Sequence, residues 1–271
     1  LFFKGCPLRC IWCHNPESQL SEPQILYFAN RCIECGDCVK LCPNGALVQS
    51  KPVETDTEKC ALCGECCDAC VANAREIAGR EMNVTQAMHE IIKDGAFFQQ
   101  SGGGVTFSGG EPLAQSGFLL ALLQRCNESG IHSTVDTCGY AAWAIMQKAV
   151  ELTNLFLYDL KIMDDARHIK YTGVSNIIIL ENLRRLAKMN TSIIVRVPII
   201  PGITDDEYNV SQIVEIVSQL SAVRSVDLLP FHNIAAEKYR RLGQHYTLKK
   251  MAPTTEKKLT EICQLFRAAH I

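Results

Sequence analysis

From residue 79 onward, short β-branched or aromatic runs alternate with longer segments whose apolar residues recur every three or four positions. The short runs, at 104–108, 133–136, 155–159, 192–197 and 226–229, predict strands. The longer ones, at 84–93, 119–126, 140–152, 176–188, 208–220 and 255–270, predict helices. Residues 1–4 add one more strand end, and a chain that opens inside a strand implies an upstream piece. Six strands alternating with helices argue for a parallel sheet with helical crossovers. Setting aside 21–78 leaves about 210 residues, short for eight strand–helix units and sufficient for six. The expected fold is therefore α/β, a partial (β/α)6 TIM-like barrel. Residues 1–20 would carry the first strand end and a cysteine loop, 21–78 an insert, and 79–271 the rest of the barrel.

Barrels of this kind place chemistry at the carboxyl ends of their strands. Each predicted strand here ends in a distinctive run: Cys6 to Cys13, Gly109-Gly110-Glu111, Asp136-Thr137-Cys138-Gly139, Asp159-Leu160-Lys161, Arg196-Val197-Pro198 and Phe231-His232. Gly109 and Gly110 lack a Cβ and allow a ligand close to the backbone. Asp136 and Asp159 suit a ribose or a small cation, and the alternative is a solvated loop carboxylate. Lys161 suits a carboxylate unless it snorkels to the surface. Arg196 interrupts an apolar strand and needs an anion, either a ligand or a structural aspartate. His232 gains a ligand reading only from its strand-end position.

Fifteen cysteines in a chain of this size with no visible export signal argue for metal in a reducing compartment rather than disulfides. Cys6, Cys10 and Cys13, spaced C-x3-C-x2-C, would hold three irons of a 4Fe–4S cluster and leave the fourth open to a reacting ligand. Two rivals exist. Cys10-Ile11-Trp12-Cys13-His14 matches a haem-attachment motif, which belongs to exported chains and leaves Cys6 unexplained; a structural zinc would need His14 or another fourth ligand. Within 21–78, Cys32, Cys35, Cys38 and Cys42 recur 28 positions later as Cys60, Cys63, Cys66 and Cys70. Both are ferredoxin-type C-x2-C-x2-C-x3-C runs, with Gly36 and Gly64 in the loops and Pro43 after the first; Val71 stands where the second would have proline. Because the fourth cysteine crosses in two-cluster ferredoxins, one cluster is expected on Cys32, Cys35, Cys38 and Cys70, the other on Cys60, Cys63, Cys66 and Cys42. The competing reading is two structural zincs, whose ligand pairs usually stand further apart. Cys67 reads as a buried or spare thiol, and Cys126 and Cys263, on predicted helices, as core residues. Cys138 lies within a strand-end motif and is less easily dismissed.

The run from Gly5 through Cys6-Pro-Leu-Arg-Cys10-Ile-Trp12-Cys13-His14-Asn-Pro-Glu-Ser18 resembles the signature of the radical S-adenosylmethionine (SAM) superfamily, in its glycyl-radical-enzyme activating branch. The resemblance spans essentially the whole chain. It implies that SAM chelates the open iron and is reductively cleaved to a 5′-deoxyadenosyl radical. It further implies contacts to SAM from Trp12, His14, Gly109, Gly110, Glu111, Asp136, Asp159, Lys161 and His232, with Cys6, Cys10, Cys13, Lys161 and Arg196 at the chemistry. Glu111 belongs to the motif that meets the methionyl amino group, and Asp136 and Asp159 are expected to hold a monovalent cation beside SAM. The implied cofactors are three 4Fe–4S clusters and SAM. The implied partners are a large glycyl radical enzyme and, as electron donor, flavodoxin or ferredoxin. By resemblance, that enzyme could be a glycerol, diol or hydroxyproline dehydratase, a choline or isethionate lyase, an arylacetate decarboxylase or pyruvate formate-lyase.

A net charge of −2 over 271 residues offers no footprint for nucleic acid. No apolar run reaches the ~18–20 residues a membrane span needs. A soluble protein of an anaerobic cytoplasm is expected, and the Asn83-Val84-Thr85 glycosylation match is irrelevant there. Two other functions compete with the activase: a radical SAM oxidoreductase acting on a small molecule or peptide, and an iron–sulfur electron carrier or zinc scaffold. The insert's place between the first two strands disfavours the former. The strand-end motifs disfavour the latter.

Overall fold

The computed structural model describes residues 1–50, 53–189 and 191–271; Lys51 and Pro52, inside the 21–78 segment, and Asn190 lie outside the described residues. Six strands form one sheet: β1 (Phe2–Phe3), β6 (Gly104–Gly109), β7 (His132–Thr137), β8 (Leu155–Asp159), β9 (Ser192–Ile199) and β10 (Val223–Pro230). They lie side by side in chain order and every pairing is parallel. β1 and β10 are the two edges, so the sheet is a partial barrel. Helices cross over between strands: α3 (Val84–Lys93), α4 (Gly95–Ser101), α5 (Ser116–Glu128), α6 (Trp143–Val150), α7 (Asp165–Thr172), α8 (Ile177–Leu186) and α9 (Glu207–Ser218), with α10 (Ala235–Arg241) and α11 (Glu256–Ala268) closing the chain.

The twofold alternation of strands decides what faces where. Val135, Phe156, Tyr158, Ile193, Val195 and Val197 are fully buried and pack against Leu119, Leu122, Met146, Leu183 and Ile213 of the helices. Their neighbours Asp136, Asp159 and Arg196 therefore point to the opposite, inner face. A second apolar cluster, including Leu8, Trp12, Ile162, Ile200, Phe231 and Tyr239, lies around the strand ends.

The segment between β1 and β6 folds as small pieces. β2 (Gln24–Tyr27) pairs antiparallel with β5 (Arg75–Ala78), and β3 (Leu47–Val48) with β4 (Glu54–Thr55). Two short helices, α1 (Asp37–Leu41) and α2 (Glu65–Asp68), each start after a left-handed glycine, Gly36 and Gly64, and bury no residue of their own. Arg241 of α10 stacks over the Phe28 ring at 4.4 Å and joins this segment to the barrel.

Several expected boundaries move. The helix expected over 140–152 starts at Trp143, because Asn182 Nδ2 donates to the carbonyls of Gly139 and Ala141, both at 2.8 Å, and holds that stretch out of the helix. β9 runs through Pro198 to Ile199, two residues past the expected end. Its pairing with β8 stops at Arg196, so no partner there needs the N–H that proline lacks. Helices α4, α7 and α10 were not expected. No helix among the described residues is long and apolar enough to cross a membrane.

Candidate active site and iron–sulfur sites

At the end of β1 the chain turns at Gly5 (φ +88°), whose N–H donates to the carbonyls of Ser18 at 2.9 Å and Leu20 at 3.1 Å. The cysteine loop is then strapped to the end of α7, with Arg9 N–H on Thr172 O at 2.6 Å and Ile11 N–H on Tyr171 O at 3.1 Å. Leu8 and Trp12 anchor it in the second apolar cluster. Trp12, expected among the SAM contacts, is committed to this packing at 6% exposure. Cys10 is fully buried, and burial pushes its thiol up to about 12; bonding to a metal would relieve the cost of a bare thiolate there.

The close approach at Gly109 and Gly110 is made first by the chain itself. A Cβ on Gly110 would lie 2.3 Å from Gly5 O and 2.7 Å from Ser18 O, and one on Gly109 2.5 Å from Phe3 O. Glu111 is wholly buried: Oε1 accepts from Thr137 Oγ1 at 2.7 Å and Leu113 N–H at 3.1 Å, and Oε2 from Cys138 N–H at 2.8 Å. Burial raises its pKa against the pull of these donors. Its carboxylate thus ties the end of β6 to the end of β7. The Cys138 and Cys6 thiols lie close enough to bias each other's ionisation, Cys138 pulling Cys6 down and Cys6 pushing Cys138 up, an interaction the sequence showed only as a cysteine inside a strand-end motif.

Across the inner face runs a row of charge. Ser108 Oγ donates to Asp136 Oδ2 at 2.6 Å; Arg196 bridges Asp136 and Asp159, its Nε 2.9 Å from Asp159 Oδ1; Lys161 Nζ lies 2.8 Å from Asp159 Oδ2. Burial and the neighbouring Asp159 push Asp136 above the ordinary carboxylate range, against Arg196. For Asp159, Lys161 and Arg196 outweigh burial and hold it below that range. Burial pulls Lys161 down, yet Asp159 and the cysteines carry it above its usual value. The anion that Arg196 required is thus a pair of the chain's own aspartates. His232 is exposed, with its ring 4.4 Å from that of His14. Burial, His232 and Lys238 lower the pKa of His14.

Two cavities occupy the 21–78 segment. One is lined by Cys32, Cys35, Cys38 and Cys70; the other by Cys42, Cys60, Cys63 and Cys66. Each thus takes three thiols from one run and the fourth from the other. Backbone donors reach the crossing sulfurs equivalently, with Ala46 N–H on Cys42 Sγ and Ala74 N–H on Cys70 Sγ, both at 3.2 Å. Four thiols around a small cavity, with N–H groups on sulfur, fit a 4Fe–4S cluster in each. Cys67 lines neither, and burial pushes its thiol up to about 12.

Comparison with known proteins agrees with this geometry. The radical SAM superfamily matches residues 57–211, and the 4Fe-4S binding domain matches residues 25–48. The chain is 42% identical to the trans-4-hydroxy-L-proline dehydratase activating enzyme of Clostridioides difficile, over 100% of this chain and 90% of that one. It is 40% identical to the isethionate sulfite-lyase activating enzyme of Nitratidesulfovibrio vulgaris, over 90% and 81% of the two chains. With the choline trimethylamine-lyase activating enzyme of Oleidesulfovibrio alaskensis it shares 39% identity, over 92% and 83%. A solved domain of a pyruvate-formate lyase-activating enzyme from Bacteroides vulgatus superposes with a TM-score of 0.54 at 32% identity, covering 62% of this chain and 96% of that one.

Proposed function

Since the chain belongs to the radical SAM superfamily, among the activating enzymes of glycyl radical enzymes, we propose that Cys6, Cys10 and Cys13 hold its catalytic cluster and the inner-face charge row receives SAM. When bound, cluster and SAM supply one-electron cleavage of a C–S bond and a carbon radical able to take hydrogen from a glycine Cα. The chain's own residues bind, orient and shield. Lys161 receives the SAM carboxylate, and the backbone at Gly109 and Gly110 receives its amino group. Glu111 positions rather than contacts, because its carboxylate is spent on Thr137, Leu113 and Cys138. His14 and His232 flank the adenosyl end. A monovalent cation at Asp136 and Asp159 would have to displace the Arg196 guanidinium from one of them.

The observation that carries this reading is the convergence of the three-cysteine loop with the row Ser108, Asp136, Arg196, Asp159 and Lys161 at one end of one sheet. The eight insert cysteines hold two further clusters, charged by flavodoxin or ferredoxin in the cytoplasm. The full complement is then about twelve irons per chain.

The test uses reconstituted protein, SAM, reductant and a candidate glycyl radical enzyme under anaerobic conditions. Deuterium placed on the partner's glycine Cα should appear in 5′-deoxyadenosine, with a glycine-centred doublet in the partner's electron paramagnetic resonance (EPR) spectrum. Cys13→Ala should abolish both. Deuterium arriving instead from a small metabolite, with no protein radical, would move the assignment to the small-molecule oxidoreductases.

A further inference from the structure

Among the described residues, Arg75 is the one that lines both insert cavities, and it carries a full charge. It is 2% exposed. Its guanidinium donates to Thr55 Oγ1 at 3.0 Å and Val53 O at 3.5 Å, both neutral, and its ring-stacking partner is Tyr27 at 5.1 Å. No carboxylate forms an ion pair with it among the described residues, and its Nε is buried without a partner. A buried, unpaired guanidinium is costly, and native proteins keep one only where an anion compensates it.

The duplication sharpens the point. Shifting by 28 positions maps Cys42 onto Cys70, Ala46 onto Ala74, and Leu47 onto Arg75. The first repeat places a buried leucine, 6% exposed, where the second places the arginine. The module therefore carries one such cation and not two, set where both cavities meet it.

We propose that Arg75 is the shared countercation of the two insert clusters, stabilising each in its more negative, reduced state. The proposal rests on the reading that the eight insert cysteines bind clusters. A 4Fe–4S unit held by four thiolates is anionic and gains a further negative charge when a donor gives it one electron. Cluster potentials follow net charge and the hydrogen bonds around the sulfurs. A fixed cation facing both cavities raises both potentials together.

The experiment is an anaerobic redox titration of the reconstituted full chain, following the EPR components that do not respond to added SAM, with iron counted in the same samples. In Arg75→Met, which keeps the bulk and removes the charge, both insert clusters should shift to lower potential. At a potential that half-reduces the wild-type pair, the reduced fraction should fall for both. Arg75→Lys, which keeps the charge, should stay close to wild type. If the methionine variant instead loses insert iron while the lysine variant retains it, the countercation role is again supported. Full iron with unchanged potentials in Arg75→Met would overturn it. So would a shift of one cluster alone, or a lysine variant that follows the methionine one, since that points to shape rather than charge. Wild-type protein that binds no iron at the insert would overturn the cluster reading itself, and the iron count separates that failure from the others.

Discussion

The barrel and the cysteine-rich insert are ordered by different forces. In the barrel, a thirteen-residue helix such as α5 buries Leu119, Leu122, Leu123 and Cys126 against the sheet. In the insert, α1 has five residues and α2 four, and neither buries any. An isolated helix that short is unstable in water, and two-stranded ribbons are marginal by themselves. The barrel is thus held by apolar burial, whereas the insert buries only a few side chains such as Phe28, Ala46, Leu47, Val53 and Ala74, and the proposed clusters would supply the rest of its interior. A short segment with a small apolar core can position a redox group, provided the group completes that core.

Removing iron should break the comparison most widely. In chelated protein, backbone amides of 25–78 should lose protection against hydrogen exchange by roughly three orders of magnitude, or about 4 kcal/mol, while β6 to β9 keep theirs. Mass-spectrometric exchange measures both regions in one sample. Equal loss in the two would show that they form one cooperative unit.

Phe156→Ala attacks the other side. Its ring is fully buried on β8, and truncation should cost about 3–5 kcal/mol in denaturant unfolding of the barrel, with the insert's iron retained. Gly110→Ala targets the junction, where a methyl group would press on Gly5 O and Ser18 O. It should cost about 1–3 kcal/mol and displace the cysteine loop, lowering iron by about four per chain while the eight insert irons stay. Smallest of all, Arg31→Ala removes an ion pair with Glu76 whose side chains are 43% and 45% exposed, and should change stability by no more than about 1 kcal/mol.

Much of this division was legible beforehand because its signals are local. The 28-residue echo of the cysteines is visible in any printed sequence, and a strand as short as β8 announces itself through an unbroken apolar and aromatic run, with bounds at Leu155 and Asp159 as expected. What escaped was whatever needs a partner far along the chain. Helix α7 buries only His168 and Thr172, so it shows no apolar stripe; it matters because its last residues strap the cysteine loop. Nothing near Glu111 in the sequence indicates that its carboxylate accepts from Thr137 and Cys138. Arg196 was left open between ligand and structural aspartate, and only the sheet's register brings Asp159 opposite it.

The crossing of Cys42 and Cys70 into each other's cavities also has a temporal side. All eight insert cysteines have been made once Cys70 leaves the ribosome, so that module can be loaded while most of the barrel is still unsynthesised. The Cys6, Cys10 and Cys13 triplet waits longer. Cys13 is made 226 residues before Tyr239, a wall of the cluster into which its loop packs (239 − 13). At ordinary elongation rates that is about 11–45 s of exposed thiols. These three are made before the cysteines of the insert and housed after them, and the insert is complete in sequence before the wall at Tyr239 exists.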